Sequence, residues 1–572
     1  MGIIKFYEVI KFFKKKDKLI EVKNLNENVG SMYMDFNSFF YDSQRKTFLE
    51  SSDYTDRDRS EKYSKGKLKL EEELLDRINI SAEQLVKRFK PKKNLVIAID
   101  GIANAGKISQ QKGRRFLSAM ENKNKFMSAG SFTPGTPIMV KIDKSLRKWL
   151  KHSKCLPETT LYSSHLEPGE GEHKLFEFVR QKKIIPSKED INLICGNDSD
   201  LFILTILSDI PNSFIYKYDE KYGTKFYNID RCRKVVEKLM YFEGCEKDLL
   251  FKDFSLLIFF AGNDFLPQFP NIANSIDSFE IVLSVYKKNK VHLSDKKDNI
   301  FWHNYLKLFA DINSRKDNLY IYFNFGKLKY PYPEVRDAIK IIDTEGYVVN
   351  QTYDSSKHRL EFDFDNFRNV WYQKQFKPAG NKLNKLSAGI NYYNQKDIDD
   401  MCYNFLKMVQ WNHLYYTKGL NYVSDYNFYP YRYTPLTQDL QNYMQRNMPN
   451  FKTLHQQVIK DKNQKPFNAV EQLMMVLPPQ SIDLLPINFR PLYRKFLNGV
   501  NPVNFKVLEP EGTNAAHEII ALIPPIDPEL TTYIFEEAKI SLSKTLELQD
   551  SLIIKKKKNK ILSLIVNDKI LM

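Results

Sequence analysis

The chain has 572 residues, a formal charge of +17, and 42% hydrophobic and 13% aromatic residues. That length exceeds what one hydrophobic core fills, so two tightly packed regions are expected, and the apolar share excludes global disorder. The basic surplus fits either a polyanionic partner or plain solubility, and charge alone does not choose.

Read in chain order, residues 1–286 alternate strands and helices, which predicts an α/β fold with a mostly parallel central sheet flanked by helices. Ser31–Met34 is a predicted strand, and the charged stretch Tyr41–Lys67 reads as a surface insertion. Leu68–Phe89 reads as an amphipathic helix ended by Pro91, and Leu95–Ile99 as the next strand. Glu172–Arg180 reads as a helix, Ile191–Cys195 as a strand, and Phe254–Ala261 as a buried helix or strand. The polar segment 287–332 reads as a connector. Residues 333–540 form a second region rich in Tyr, Phe and Pro, and residues 541–572 form a basic tail. Its run Lys555-Lys556-Lys557-Lys558-Asn559-Lys560 reads as a solvated helix face rather than a localisation signal.

Seven carboxylates stand where apolar segments run out: Asp35, Asp100, Glu170, Glu172, Asp198, Asp200 and Asp264. Strands that end in acids point to a site at the carboxyl edge of a parallel sheet. Like charges ~4 Å apart repel by several kcal/mol at a near-surface dielectric, so a converging set needs cations. Carboxylate-rich sites suit two Mg²⁺ ions, with Mn²⁺ as a substitute, and the chemistry that uses such a pair is phosphodiester hydrolysis. Taken singly, Asp198 and Asp200 fit a helix N-cap equally well, and Glu170 and Glu172 fit first-turn partners of a helix dipole. His173 fits a structural hydrogen-bonding role better than proton transfer.

Lys107, Gln111, Arg114 and Arg115 have helical spacing that puts them on one face, after Gly101 and Gly106. Such a stripe can cradle a terminal phosphate, with backbone amides approaching the anion at the helix start, or be an ordinary basic surface. Five scattered cysteines (Cys155, Cys195, Cys232, Cys245, Cys402) contain no Cys-x-x-Cys pair, which argues for a reducing compartment without structural zinc. The N-terminus reaches Lys5 and Lys11 without an apolar leader, and Phe6 breaks a myristoylation signal at Gly2. The longest apolar run is too short for a membrane span, so a soluble cytoplasmic protein is expected, with the nucleus as the other compartment.

These segments resemble the 5′→3′ exoribonuclease family of Xrn1 and Xrn2/Rat1. The family's opening appears as Met1-Gly2-Ile3-Ile4-Lys5-Phe6-Tyr7, its next block as Asp100-Gly101-Ile102-Ala103, then Gln110-Gln111-Lys112-Gly113-Arg114-Arg115-Phe116. Thr133-Pro134-Gly135-Thr136 and Pro168-Gly169-Glu170-Gly171-Glu172-His173-Lys174 follow. A second shared block includes Trp371-Tyr372-Gln373-Lys374-Gln375-Phe376, Trp411, Phe428-Tyr429-Pro430-Tyr431-Arg432-Tyr433, Glu471-Gln472-Leu473 and Ile523-Pro524-Pro525-Ile526-Asp527. The resemblance implies a PIN/FEN-like nuclease core and a largely helical second region packed on it. It implies that the seven acids hold the metals and that Lys107, Gln111, Arg114 and Arg115 hold the 5′-monophosphate of single-stranded RNA, supplied by a decapping enzyme. Capped, triphosphorylated and 5′-hydroxyl ends are then rejected.

The chain departs from the family in two places. Tyr41 stands where the family usually has a base-stacking His, and Ser424-Asp425-Tyr426-Asn427 replaces Ser-Trp-x-Trp, leaving Tyr422 or Tyr426 as stand-ins. The chain stops soon after Asp527, which resembles compact viral or parasite members. A flap or structure-specific DNA nuclease and an inactive RNA-binding scaffold are the competing readings.

Overall fold

The structure is a computed structural model that describes the chain apart from residues 1–5, 26, 50–62, 122–128, 220–222, 273–275, 315–337, 346, 350–354, 377–391, 495–499, 509–519 and short stretches of the tail (544–545, 548–550, 558–559, 567–568, 572). The first region supplies seven strands: β1 (Glu21–Val22), β2 (Val29–Asp35), β3 (Asn94–Ala98), β4 (Thr159–Ser163), β5 (Ile191–Cys195), β6 (Ser213–Asp219) and β7 (Gly223–Asn228). Two small ribbons lie apart from them: β8 (Ile339–Ile342) pairs with β9 (Arg359–Phe362), and β10 (Lys506–Leu508) with β11 (Ile520–Leu522). The tail adds β12 (Leu552–Lys557), β13 (Lys560–Val566) and β14 (Lys569–Leu571).

Among the described residues the main sheet has ten strands, in the order β1-β7-β6-β5-β2-β3-β4-β12-β13-β14. Its centre, β6-β5-β2-β3-β4, is parallel throughout, and both flanks are antiparallel. Every residue of β2, β3 and β5 is buried, as expected of parallel strands covered on both faces. Alternation along β2 decides which layer each side chain joins. Met32 and Met34 meet Leu74, Ile78 and Val86 of the helix Tyr63–Phe89 and Ile142 and Leu146 of the helix Pro137–His152. Tyr33 faces the other way, into a core shared with the helices Gly171–Arg180 and Asp200–Leu207. That core also takes Phe405, Trp411 and Tyr415 of the long helix Gln395–Thr417, so the second region is packed on the sheet through one continuous interior.

The strands at residues 31–34, 95–99 and 191–195 and the helices at 68–89 and 172–180 form where expected, within a few residues, and the apolar run 254–261 resolves as the end of the helix Lys247–Ile258 plus a 3₁₀ turn, Phe259–Ala261. Three expectations need correction. The lysine-rich tail run is not a helix face: Leu552 and Ile554 are buried, and β12 lies antiparallel along β4, pairing Leu552 with Tyr162 and Lys555 with Thr159. Alternation of buried Leu552 and Ile554 with more exposed neighbours is a period-2 signal masked by the lysines that follow. The segment 287–332 is more than a polar connector, because the helix Trp302–Asn313 buries Trp302, Tyr305, Leu308, Phe309 and Ile312 in the largest core. The charged stretch 41–67 is helical at both ends, within Asn37–Leu49 and from Tyr63 onward, while its middle lies outside the described residues. All five cysteines are free thiols.

Candidate metal and phosphate site

β2 ends on Asp35, and the chain then ties itself to the neighbouring strand. Phe36 N donates to Ala98 O at 2.9 Å, and Asp100 N donates to Asn37 Oδ1 at 2.9 Å. The loop after β4 delivers Glu170 and Glu172 to the start of the helix Gly171–Arg180, where Gly171 N donates to Asp100 Oδ1 at 2.8 Å. A side chain at Gly171 cannot be accommodated, since its Cβ would lie 2.7 Å from Asp35 Oδ1. β5 leads into Asp198 and then Asp200, the first residue of the helix Asp200–Leu207.

Asp264 arrives differently. It follows the 3₁₀ turn Phe259–Ala261 and not a strand, through Gly262 at φ +80°, whose Cβ would meet Gln268 N at 2.8 Å. Asn263 Oδ1 then accepts from Phe265 N at 3.0 Å and Leu266 N at 2.9 Å, an Asx turn that fixes the acid's direction.

The seven acids converge. Burial, followed by the charges of Asp100 and Asp198, pushes Asp35 well above the carboxylate range. Burial and then Glu170, Asp100 and Asp35 do the same to Glu172. Asp200 is pushed up to about 7 by burial and by Asp264 and Asp198. Resident cations therefore do not suffice to keep every acid ionised, and protons or added cations make up the difference. Asp264 is shifted the other way: Lys107 and Arg114 outweigh its burial and hold it below the carboxylate range.

The residues fit a divalent cation. Ligand oxygens of Asp35, Glu172 and Asp198 all lie within 4.8 Å of one another, and Asp35 Oδ1 is buried with no hydrogen-bond partner. A buried carboxylate oxygen left unpaired is costly, and a hard cation with oxygen ligands satisfies it.

The basic stripe lies on the helix Ala105–Glu121, beside these acids. Lys107 is buried; its Nζ contacts Asp264 Oδ2 at 2.6 Å and also Glu170 Oε2. Arg114 reaches Asp264 Oδ1 at 3.4 Å, and Gln110 Nε2 donates to the same oxygen at 2.7 Å. Gln111 Oε1 accepts from Gln472 Nε2 at 3.3 Å, and Arg115 Nε donates to Thr133 Oγ1 at 3.2 Å. The expected amide contribution at the helix start is reduced, because Asn104 Oδ1 accepts from Lys107 N at 3.0 Å and Asp425 O from Ala105 N at 2.7 Å. Tyr41 lies in the helix Asn37–Leu49, and its side chain is outside the described residues. Tyr426 packs against Phe467, with centroids 4.5 Å apart, and the exposed Tyr422 meets His455 at 3.2 Å.

The second region also reaches the acids. Tyr415 Oη donates to Glu170 Oε1 at 2.9 Å, and its ring stacks on His173 at 3.8 Å and on Trp411 at 4.7 Å. His173 is fully buried and burial keeps its pKa well below the ordinary value, so it is a neutral packing ring. Asn37 and Gln110 were within reach of sequence reasoning, two residues after Asp35 and three after Lys107. Tyr415 carried no local signal, and Gln472 stood out only within the block Glu471-Gln472-Leu473, with nothing to tie it to Gln111, since both partners are hundreds of residues away.

Both regions of the chain match known family descriptions. Residues 1–219 match the family described as "XRN 5'-3' exonuclease N-terminus", and residues 351–566 match "Xrn1 helical domain". The chain is 24% identical to 5'-3' exoribonuclease 1 of Saccharomyces cerevisiae over 92% of its own length and 42% of the relative's. It is 25% identical to 5'-3' exoribonuclease 1 of Homo sapiens over 81% of its length and 30% of the relative's. For 5'-3' exoribonuclease 1 of Schizosaccharomyces pombe the figures are 25%, 92% and 48%. The chain thus spans less than half the length of these curated relatives. With both regions matched in order, the chain belongs to the XRN 5′-3′ exonuclease family.

Proposed function

We propose that this chain is a divalent-cation-dependent 5′→3′ exoribonuclease that degrades single-stranded, 5′-monophosphorylated RNA to mononucleotides. The observation that carries this reading is the buried acid cluster with its unpaired Asp35 Oδ1, set against a stripe of Lys107, Gln111, Arg114 and Arg115 in a chain of this family. Asp35, Glu172 and Asp198 form the first cation-binding group, and Asp100, Glu170, Asp200 and Asp264 complete a set for two Mg²⁺ ions, or Mn²⁺ in their place. Such ions supply an activated water and neutralise charge on the phosphate at the moment of cleavage.

The protein's own groups do the rest. Arg114 and Arg115, both partly exposed, offer planar donors to a terminal phosphate dianion. Lys107 sits deeper, between the acids and the stripe, where it holds the local charge balance. A 5′-hydroxyl leaves these charges unpaired and a cap is too bulky, so a decapping reaction is the natural source of substrate. Tyr41 follows Asp35 by six residues and is proposed to stack on the first base, worth ~1–3 kcal/mol. A reducing compartment, cytoplasm or nucleus, suits the five free thiols. Among the described residues no helix is long and apolar enough to cross a membrane.

The test is digestion of one labelled RNA carrying a monophosphate, triphosphate, cap or hydroxyl end, beside a matched DNA flap, with Mg²⁺ and with EDTA. Rapid, Mg²⁺-dependent loss of the monophosphate RNA alone is expected. Preference for the flap would instead make it a structure-specific DNA nuclease, and binding without cleavage an RNA scaffold. Asp198→Ala and Asp200→Ala should each abolish cleavage while RNA binding survives.

A further inference from the structure

Glu170 is held from two sides by two different regions of the chain. Its Oε2 meets Lys107 Nζ, from the helix beside the sheet, and its Oε1 accepts the Tyr415 hydroxyl at 2.9 Å, from the helix Gln395–Thr417. Tyr415 is itself held rigidly. Its ring lies between His173 at 3.8 Å and Trp411 at 4.7 Å, each within 22° of parallel, and Trp411 is pinned by donation from Nε1 to Ser424 O at 2.8 Å. All three rings are buried, and Phe265, the residue after Asp264, meets both Trp411 and Tyr415 at 5.1 and 5.4 Å.

A column of stacked rings therefore runs from the second region to the acid cluster and touches it at two points, Glu170 by hydrogen bond and the Asp264 turn by packing. A carboxylate that ligates a cation must present its oxygens within about half an ångström, and such aim comes from hydrogen bonds behind it. Glu170 is the N-cap residue of its helix, yet its side chain makes no capping hydrogen bond, so the cap does not orient the carboxylate.

We propose that Tyr415 is a positioning residue for Glu170, and that the Trp411–Tyr415–His173 column is how the second region sets the geometry of the acid cluster. The proposal rests on the cation-dependent nuclease reading. The Tyr415 hydroxyl fixes one Glu170 oxygen and so aims the other into the cluster. The ring stack keeps that hydroxyl from rotating away.

The decisive experiment is direct Mn²⁺ binding by titration calorimetry, without RNA, on the wild type, Tyr415→Phe, Glu170→Gln and the double variant. Phe keeps the stack and removes only the hydroxyl. Mn²⁺ affinity should fall about tenfold in Tyr415→Phe, as expected for a lost hydrogen bond to a charged group. In the Glu170→Gln background the same change should have no further effect, because the two residues act as one unit. With RNA present, kcat should fall and KM should stay within twofold. A wild-type Mn²⁺ affinity in Tyr415→Phe overturns the proposal, as does an equal, additive loss in both backgrounds, which marks a general packing role. If the wild type binds Mn²⁺ and degrades no RNA, the nuclease reading fails, whereas the calorimetric cycle still decides the role of Tyr415.

Discussion

The Lys107 ammonium is seated 2.6 Å from the Asp264 carboxylate, with less than a tenth of either side chain open to solvent. A buried pair of this kind adds little over an apolar pair, but removing one member leaves the other stranded.

Lys107→Met should accordingly cost ~3–5 kcal/mol of stability at neutral pH, because Asp264 and Glu170 lose their shared cation. In acid the two carboxyls take up protons instead, so the deficit should shrink as pH falls. Thermal melts of wild type and variant in EDTA at several pH values measure it. A deficit of the same size at every pH would show that Lys107 contributes packing and not charge.

Arg114 is the better probe of end recognition, since it is partly exposed and its contact with Asp264 is long at 3.4 Å. Arg114→Ala should narrow the rate ratio between 5′-monophosphate and 5′-hydroxyl RNA by roughly tenfold, in line with a lost charge-assisted contact of ~1.5–3 kcal/mol. Equal slowing on both substrates would remove Arg114 from end recognition.

Stability in Mg²⁺ should depend on pH in a direction fixed by Asp200. Its carboxyl is pushed up to about 7, against an ordinary value of 3.8 in the unfolded chain. Between those values the native state holds a proton that the unfolded state has released, so native stability falls as pH rises across that window. A divalent cation takes that proton's place. The rise in Tm on replacing EDTA by Mg²⁺ should thus be small near pH 5 and larger near pH 8, and Asp200→Asn should flatten the trend. A shift that declines with pH contradicts the assignment.

The tail strand should be structural. Ile554 is buried against the sheet, and Ile554→Ala is expected to cost ~2–5 kcal/mol. Ile553→Ala, at a partly buried position, should cost less. Chemical denaturation of the two variants tests this, and equal, small losses would mean that β12 contributes little to the fold.

The parallel centre of the sheet was legible because β2, β3 and β5 are short apolar runs closed by acids or turns, a pattern that needs no long-range information. Asp35, Asp100, Asp198 and Asp200 were legible as outgrowths of these strand ends, whereas Glu170 and Glu172 stood out through the run Pro168–Lys174, since the strand Thr159–Ser163 before them was not predicted. Asp264 was found as an acid but not for its setting, since the apolar run before it is a helix whose period is ambiguous over eight residues. The core helix Trp302–Asn313 was hidden in a segment of mixed polarity, although Trp302, Tyr305 and Phe309 keep helical spacing. Tyr415 and Gln472 belong to the site only through tertiary packing. In the sequence, the helix Gln395–Thr417 gives no sign of which tyrosine meets an acid.

The pairing of β12 with β4 joins a strand ending at Ser163 to one that begins at Leu552, nearly four hundred residues later. During synthesis the outer edge of β4 leaves the ribosome long before its partner exists, and an unpaired edge invites association with other chains. The parallel half of the sheet can therefore collapse early yet stays open on that side until β12 emerges. Completion of this side of the sheet thereby waits for β12, so a chain interrupted before Leu552 would display a sticky strand edge next to the loop that carries Glu170 and Glu172.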